Sequence, residues 1–383
     1  MADNRKILGI GMLGTGWMCR AHSNGYLTAN YMFYDKSNWK AALTGICGSN
    51  FQKSCFAKEK YGYQYAAANY QELLDDPSIT IFDNVAPDRL HLEPTLAAIR
   101  AGKQVVCEKP IAENSADAKR MLDAAEAQGV KHICGFSYRF LPAIRLAYEL
   151  LREGKLGKVY HVSGKYYQDQ GSSEDTPVEQ IWYIMGTGVT QGIGTHMIDM
   201  IRFLLDTRVV AVSAVNATYN KQRNSKNGIV NVDATEGSFA IMELENGATA
   251  NIQQLGVANG KQSEFSIEIY GSKGSLMWNM EDPNLLYYYD AEPKDARLKG
   301  FQKICVTEAS HPFMDIWWPK GHVIGWEHGH VNMLAYFMDC VANDKPVAPL
   351  GGTFRDAYEV SCVIDAMNLS SMERRSVVVQ YDK

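Results

Sequence analysis

Long apolar runs are missing from this chain of 383 residues. None approaches the roughly 20 residues that a membrane-spanning helix needs. The opening MADNRKILGI passes from polar residues straight into a short apolar run, so no signal peptide is expected. Basic runs are missing too. The net charge is −5 with both signs interspersed, which excludes the footprint of a nucleic-acid or membrane-surface binder and points to a small-molecule partner. No C-x-x-C pair occurs among the eight cysteines, Cys19, Cys47, Cys55, Cys107, Cys134, Cys305, Cys340 and Cys362. Several lie in apolar runs, where a thiol behaves as a small hydrophobe, and a chain this long needs no disulfide framework. Free thiols and a reducing, cytoplasmic location are expected. Glycine and proline are not in excess, so collagen-like and disordered readings fall away.

What is present begins at Lys6. Ile7 to Leu13 is an apolar run of strand length, Gly14-Thr15-Gly16 is a glycine turn, and a helical segment follows from Trp17. Such a turn offers backbone N–H groups and the positive end of a helix dipole to the pyrophosphate of a dinucleotide. The G-x-G-x-x-G spacing is met twice. Gly9, Gly11 and Gly14 fall inside the strand, where no phosphate turn can form, and read as glycines of a tightly packed strand. The working triplet is Gly14, Gly16 and Cys19, the last a small residue where helix and strand must pack closely. Trp17 and Met18 flank it as cofactor contacts.

Alternating elements follow: a strand at Ala41 to Cys47, a helix at Lys53 to Lys60, a helix at Tyr70 to Leu74, a strand at Ile79 to Asn84, a helix at Leu92 to Arg100 and a strand at Gln104 to Cys107. A helix at Ala116 to Gln128 and a strand at Lys131 to Phe136 complete them. This alternation predicts a doubly wound parallel sheet over residues 1–137. Ligands bind at the carboxyl edge of such sheets, which makes Ala86, Pro87, His91, Glu108 and Lys109 cofactor candidates. The second strand ends at Gly48-Ser49-Asn50. It has neither the carboxylate that marks NAD nor an arginine for a 2′-phosphate, so Ser49, Asn50 and Lys53 are the ribose candidates, NADP stays open, and the lean is to NAD. From 138 to 383 the pattern changes. A helix at Pro142 to Arg152 leads to strands at 159–168, 209–219, 237–244, 249–255 and 263–270, with a helix at 197–205 between the first two and helices at 330–342 and 354–370 closing the chain. This predicts an α+β domain with a large open, mostly antiparallel sheet. Its strands alternate apolar and polar residues, as at Phe239, Ile241 and Leu244, and a broad sheet whose second face no helix of the chain covers predicts self-association as a homodimer or homotetramer.

The segments GTGWMCRAH, AGKQVVCEKPIAE, GFSYRFLPA, GIGTHMIDMIRFLL and DAYEVSCVIDAMNLSS together resemble the glucose-fructose oxidoreductase and inositol dehydrogenase (Gfo/Idh/MocA) superfamily, in register over essentially the whole chain. WWPKGHVIGWEHGH resembles its branch of levoglucosan and related sugar or glycoside dehydrogenases. The resemblance implies an N-terminal Rossmann domain, NAD(P), and oxidation of a secondary hydroxyl of a sugar, polyol or glycoside, a 3-keto sugar being one such product. By position it implies Lys109 and His196 as the catalytic pair. The family's aspartate four residues before the histidine falls on Gly192, its asparagine in GFNYR on Ser137, and its W-R arginine on Tyr183, so the pocket has been reworked.

Removing hydride from a carbinol carbon requires a base for the hydroxyl proton. His196 falls in the first turn of its helix, where the dipole disfavours imidazolium; the alternative is a hydrogen-bonded core histidine. Asp199, three residues on, either orients that ring or caps a neighbour. Lys109 is placed to hold the substrate oxygen, with Tyr183 as the fallback proton acceptor. Further substrate candidates are Tyr138 and Arg139, which otherwise act as interdomain pins, with Gln168, Trp182, His322 and Trp326. Trp317 and Trp318 share with Trp182 and Trp326 the choice between sugar stacking and packing. The set His322, Glu327, His328 and His330 matches none of the usual zinc spacings, so no metal is expected. Two rival functions remain: an NAD-dependent glycosidase of the same fold that returns its hydride, and a non-catalytic dinucleotide-binding regulator.

Overall fold

The computed structural model describes residues 4–382, in two units. In the first, β1 (Lys6–Leu13), β2 (Trp39–Cys47), β3 (Tyr65–Ala67), β4 (Ile79–Asn84), β5 (Gln104–Cys107) and β6 (His132–Cys134) form one sheet in the order β3-β2-β1-β4-β5-β6. Every pairing is parallel. The strand order reverses between β1 and β4, which creates the switch point where ligands bind in doubly wound sheets. Leu8 to Leu13 are buried without interruption, the mark of a strand covered on both faces. The covering helices include α1 (Trp17–Met32), α2 (Phe51–Tyr61), α3 (Tyr70–Asp75), α4 (Leu92–Arg100) and α5 (Ser115–Gln128). Asn50, Asn69 and Asn114 cap α2, α3 and α5 by accepting backbone N–H groups, and left-handed Gly62 and Gly129 end α2 and α5.

The second unit opens with α6 (Pro142–Arg152) and β7 (Val159–Tyr167). The short helices α7 (Trp182–Met185) and α8 (Gly188–Gly192) then lead into α9 (Gly194–Leu205). Its strands are β8 (Val209–Ala217), the detached hairpin β9 (Gln222–Ser225) and β10 (Gly228–Asn231), β11 (Gly237–Leu244), β12 (Thr249–Leu255), β13 (Glu264–Gly271), β14 (Gly274–Asn279), β15 (Leu285–Asp290), β16 (Phe301–Cys305) and β17 (Val377–Val378). Nine of them make a sheet in the order β16-β15-β14-β13-β7-β12-β11-β8-β17. The β7–β12 pair is parallel and the other neighbours are antiparallel. Met197 of α9 lies where a side chain on Gly164 of β7 would sit, so α9 packs on that face. On the opposite face burial alternates along β11, with Ile241 63% exposed. Strands β14 to β16 and the β9–β10 hairpin go beyond the sequence reading, because their short, aromatic and polar segments carry little period-two contrast.

Two helices close the chain, α10 (Trp326–Ala342) and α11 (Phe354–Glu373). Division at residue 137 leaves 325–358 with the C-terminal part, whereas in the structure Gly325–Tyr358 belong to the first unit. The physical reason is a close helix pair: a Cβ on Gly25 of α1 would come within 2.7 Å of Leu334 on α10. Among the described residues no disulfide joins any of the eight cysteines, and no helix is long and apolar enough to cross a membrane.

Candidate functional site

Gly14 and Gly16 divide the work of the turn. Gly14 has φ +117°, and a Cβ there would lie 2.8 Å from the Val85 carbonyl carbon, so glycine lets the turn from β1 into α1 pass close against the backbone that follows β4. Gly16 is the N-cap of α1, it is exposed, and a Cβ on it would meet nothing within 4 Å. Space in front of a helix N-terminus suits a pyrophosphate, and the residues present fit a dinucleotide. Gly9 and Gly11 are packing glycines: side chains there would run into the Ser78 carbonyl and into Ile79, respectively.

Around this turn the sequence candidates sort into open and committed groups. Ser49, Asn50 and Lys53 are exposed, although the Asn50 carboxamide oxygen already accepts the Lys53 amide at 2.9 Å. Trp17 is exposed and stacks on Trp326 at 5.2 Å, so Trp326 stands with the cofactor turn in the first unit. Met18 is half-buried, Ala86 is buried and Pro87 is exposed. His91 is committed elsewhere: Nδ1 lies 2.7 Å from the Pro110 carbonyl and Nε2 2.8 Å from that of Ala86, which pins two edge loops together. Burial favours its neutral form but Cys107 and Asp88 outweigh this, and its pKa rises to about 9. Glu108 is likewise committed, its carboxylate bound to His22 and to the Lys109 amide. Neither ring nor carboxylate is presented as a cofactor contact. Lys109 is half-buried just beyond β5. Arg139 is buried and pairs with Asp356 at 3.1 Å, and Tyr138 is buried beside it, which leaves the arginine a pin within the first unit.

In the second unit His196 occupies the third position of α9 and is half-buried, its ring 6.3 Å from that of Tyr166 and 6.5 Å from that of Phe265. Asp199 is buried on the same helix. The place left by Gly192 is filled by Trp182: a Cβ on Gly192 would fall 2.6 Å from the Trp182 Cη2 atom. The indole N–H of Trp182 donates to the Gln168 carboxamide at 3.0 Å, so these two candidates form one half-buried pair. Tyr183 is fully buried against Gly171 and Gly256, and burial pushes its phenol well above its usual pKa, which makes it unsuited as a proton acceptor. His322 is exposed and its ring lies 2.8 Å from the Pro319 carbonyl. Trp317 is buried and Trp318 exposed.

The histidines of the 322–330 segment do not form a set. His322 belongs to the second unit, His328 accepts the Gly325 amide at the start of α10, and His330 turns inward to His22 and Glu108. That inward trio is the one group among the described residues with atoms close enough to share an ion. Sequence reading passes over His22 and Asp83; their signal is a carboxylate directly after the apolar Ile81-Phe82 of the strand ITIFDN and a histidine in the helical segment of GTGWMCRAH.

Residues 8–136 match the oxidoreductase family with NAD-binding Rossmann fold, and residues 144–277 match the GFO/IDH/MocA C-terminal domain. The chain belongs to the Gfo/Idh/MocA family. Its first unit is an NAD-binding Rossmann domain and the protein is an oxidoreductase. Levoglucosan dehydrogenase of Pseudarthrobacter phenanthrenivorans is 29% identical over 378 residues, which cover 94% of this chain and 95% of that one. A crystal structure of an oxidoreductase domain protein from Kribbella flavida superposes with a TM-score of 0.93 at 32% identity over 98% of this chain and 100% of that one. A levoglucosan dehydrogenase in complex with NADH and levoglucosan superposes with a TM-score of 0.93 at 29% identity, over the same shares of the two chains.

Proposed function

We propose that this family member oxidises a secondary hydroxyl of a sugar, polyol or glycoside to a ketone, a 3-keto sugar being the product from a glycoside. The observation that carries the reading is a half-buried lysine, Lys109, directly after β5 at the carboxyl edge of a dinucleotide-binding sheet. The near full-length likeness to levoglucosan dehydrogenase supports the substrate class.

Bound NAD supplies the hydride acceptor, C4 of its nicotinamide. Gly14 and Gly16 with the first turn of α1 hold the pyrophosphate, Ser49 and Asn50 hold the adenosine ribose, and the lack of an arginine beside them favours NAD over NADP. Lys109 donates to the reacting oxygen and keeps it in place. His196 takes the hydroxyl proton as the C–H bond gives up its hydride and the carbonyl forms, which balances the reaction. Trp182 offers an apolar ring face to a sugar, steadied by Gln168.

The test is formation of NADH by the purified protein with NAD or NADP and a panel of monosaccharides and glycosides that includes levoglucosan. Net NADH with one or more sugars is expected. Release of free sugar from a glycoside without net NADH would identify the glycosidase instead, and binding of NAD with no turnover would identify a regulator. The same reading includes self-association through the open face of the nine-stranded sheet, where a hollow of about 600 Å³ is lined by Val215, Phe239 and Ile241 among others.

A further inference from the structure

Helix α1 turns a polar face into the protein. Cys19, His22, Ser23 and Tyr26 are all fully buried, at a spacing where a packed helix ordinarily carries apolar side chains. At its centre the His22 ring bridges two carboxylates from neighbouring parts of the sheet. Nδ1 lies 2.8 Å from Asp83 of β4, and Nε2 lies 3.2 Å from Glu108, which follows β5. The Tyr26 hydroxyl donates to the same Asp83 oxygen at 2.9 Å. The second Glu108 oxygen accepts the backbone N–H of Lys109 at 3.1 Å. The Glu108 carboxylate lies in the space that a side chain on Gly135 would need, so it packs directly against that backbone.

His22 and Glu108 face one another as a buried ion pair. Burial favours a neutral His22, but Asp83 and then Glu108 overcome it and lift the ring to about 10. Burial likewise favours a neutral Glu108, and the hydrogen bond and charge of His22 bring it down to about 2. Other groups facing this centre are Cys19 and Tyr26 from α1, Lys109 beyond β5, and His330 from α10. A buried ion pair is a poor device for stability, because apolar side chains of similar volume serve at least as well. One of its bonds ends at Lys109, the half-buried residue at the ligand edge.

We propose that Asp83, His22 and Glu108 act as a chain of positioning residues that fixes the backbone of Lys109 and so aims its ammonium at the substrate oxygen. The proposal rests on the reading of Lys109 as the oxygen-holding residue. An alternative use of the same atoms is a metal, since His22, Glu108 and His330 are a donor set of the zinc type. A ring that donates through both nitrogens has no lone pair for a metal, so the two uses exclude one another.

The experiment is a double-mutant cycle. His22→Gln and Glu108→Gln are each made alone and on a Lys109→Ala background, with turnover of the best sugar in the panel as readout. Each alone is expected to lower kcat by about tenfold or more, with KM for the sugar and affinity for NADH within about twofold of the parent. On the Lys109→Ala background the same changes should have little further effect, because the group they position is gone. Tyr26→Phe, which removes only the hydroxyl on Asp83, is the milder variant should His22→Gln fail to fold; it should lower kcat about two- to threefold, again only when Lys109 is present. Equal losses on both backgrounds would overturn the proposal and leave the Lys109 reading intact. Normal turnover of Lys109→Ala would remove that reading and the proposal with it. One equivalent of zinc in the purified protein, lost in His22→Gln, would also overturn it.

Discussion

The two sheets of this protein solve opposite problems. The six-stranded sheet is parallel, its β1 strand is buried from Leu8 to Leu13, and it advertises its purpose in a short motif at one strand end. The nine-stranded sheet is mixed, and along β11 buried Ala240 and Met242 alternate with exposed Ile241 and Glu243. The side chains proposed here for its site come from α9 and from residues 168–192 before it. A sheet covered on both faces has only its edge left for a ligand. A sheet covered on one face has a second surface to use, and its site must be built from loops and helices whose sequences carry no fixed pattern.

The sharpest way to break this comparison is to remove one candidate from each unit. Lys109→Ala and His196→Ala should each lower turnover by roughly two to four orders of magnitude while NADH binding, followed by fluorescence titration, persists. Near-normal turnover in His196→Ala would leave the second unit with a binding role alone.

The next contrast lies inside the motif itself. Gly14→Ala forces a side chain onto φ +117° and against the Val85 carbonyl, which should cost roughly 1–3 kcal/mol of stability in a thermal or denaturant melt. Gly16→Val leaves the melt nearly unchanged, since its Cβ meets nothing, but should weaken NADH binding by about tenfold or more, ~1.4 kcal/mol. Two glycines two residues apart thus separate folding from binding. Loss of stability with unchanged affinity in Gly16→Val would reverse their roles.

How far the sequence could be read follows the same divide. Strands β4 and β5 and helices α4 and α6 lie where hydrophobic periodicity places them, because a covered parallel sheet or a one-faced helix leaves a strong apolar pattern. The return of α10 to the first unit was hidden, since nothing in residues 326–342 names the helix they will meet. The His22 trio was hidden for another reason: three residues far apart in sequence make one buried ionic cluster only after β4, β5 and α1 come together. Both His91 and Glu108 sit at the predicted edge, yet their polar atoms bind loops and neighbours. Spacing tells which edge a residue reaches, and hydrogen-bond partners decide what it does there.

A smaller effect tests the second unit's irregular segment. Gly192→Asp restores the carboxylate of the family pattern at a position whose space is held by the Trp182 ring. Overpacking of this kind costs typically about 1–3 kcal/mol, and turnover should fall with a raised KM as the Trp182–Gln168 pair is displaced. Adding Trp182→Ala to Gly192→Asp should recover the stability by vacating the space. Unchanged KM and stability in Gly192→Asp would show that the ring moves aside freely and plays no part in the pocket.

The smallest effect on the chain itself, and the most telling for the open sheet, belongs to Ile241. Its side chain is 63% exposed on β11, beside Phe239 on the same face. A lysine there touches no core, so the change in monomer stability should stay within about 0.5 kcal/mol. Its effect should appear in assembly instead. A sheet face that carries isoleucine, phenylalanine and the half-exposed Val215 is costly to leave in water, and burial against a second copy removes that cost. Light scattering at micromolar concentration should therefore find the parent protein as a dimer or tetramer and Ile241→Lys shifted toward monomer. A parent protein that is itself monomeric would mean that the second face of this sheet is solvated as it stands, and the contrast between the two sheets would then end at their covered faces.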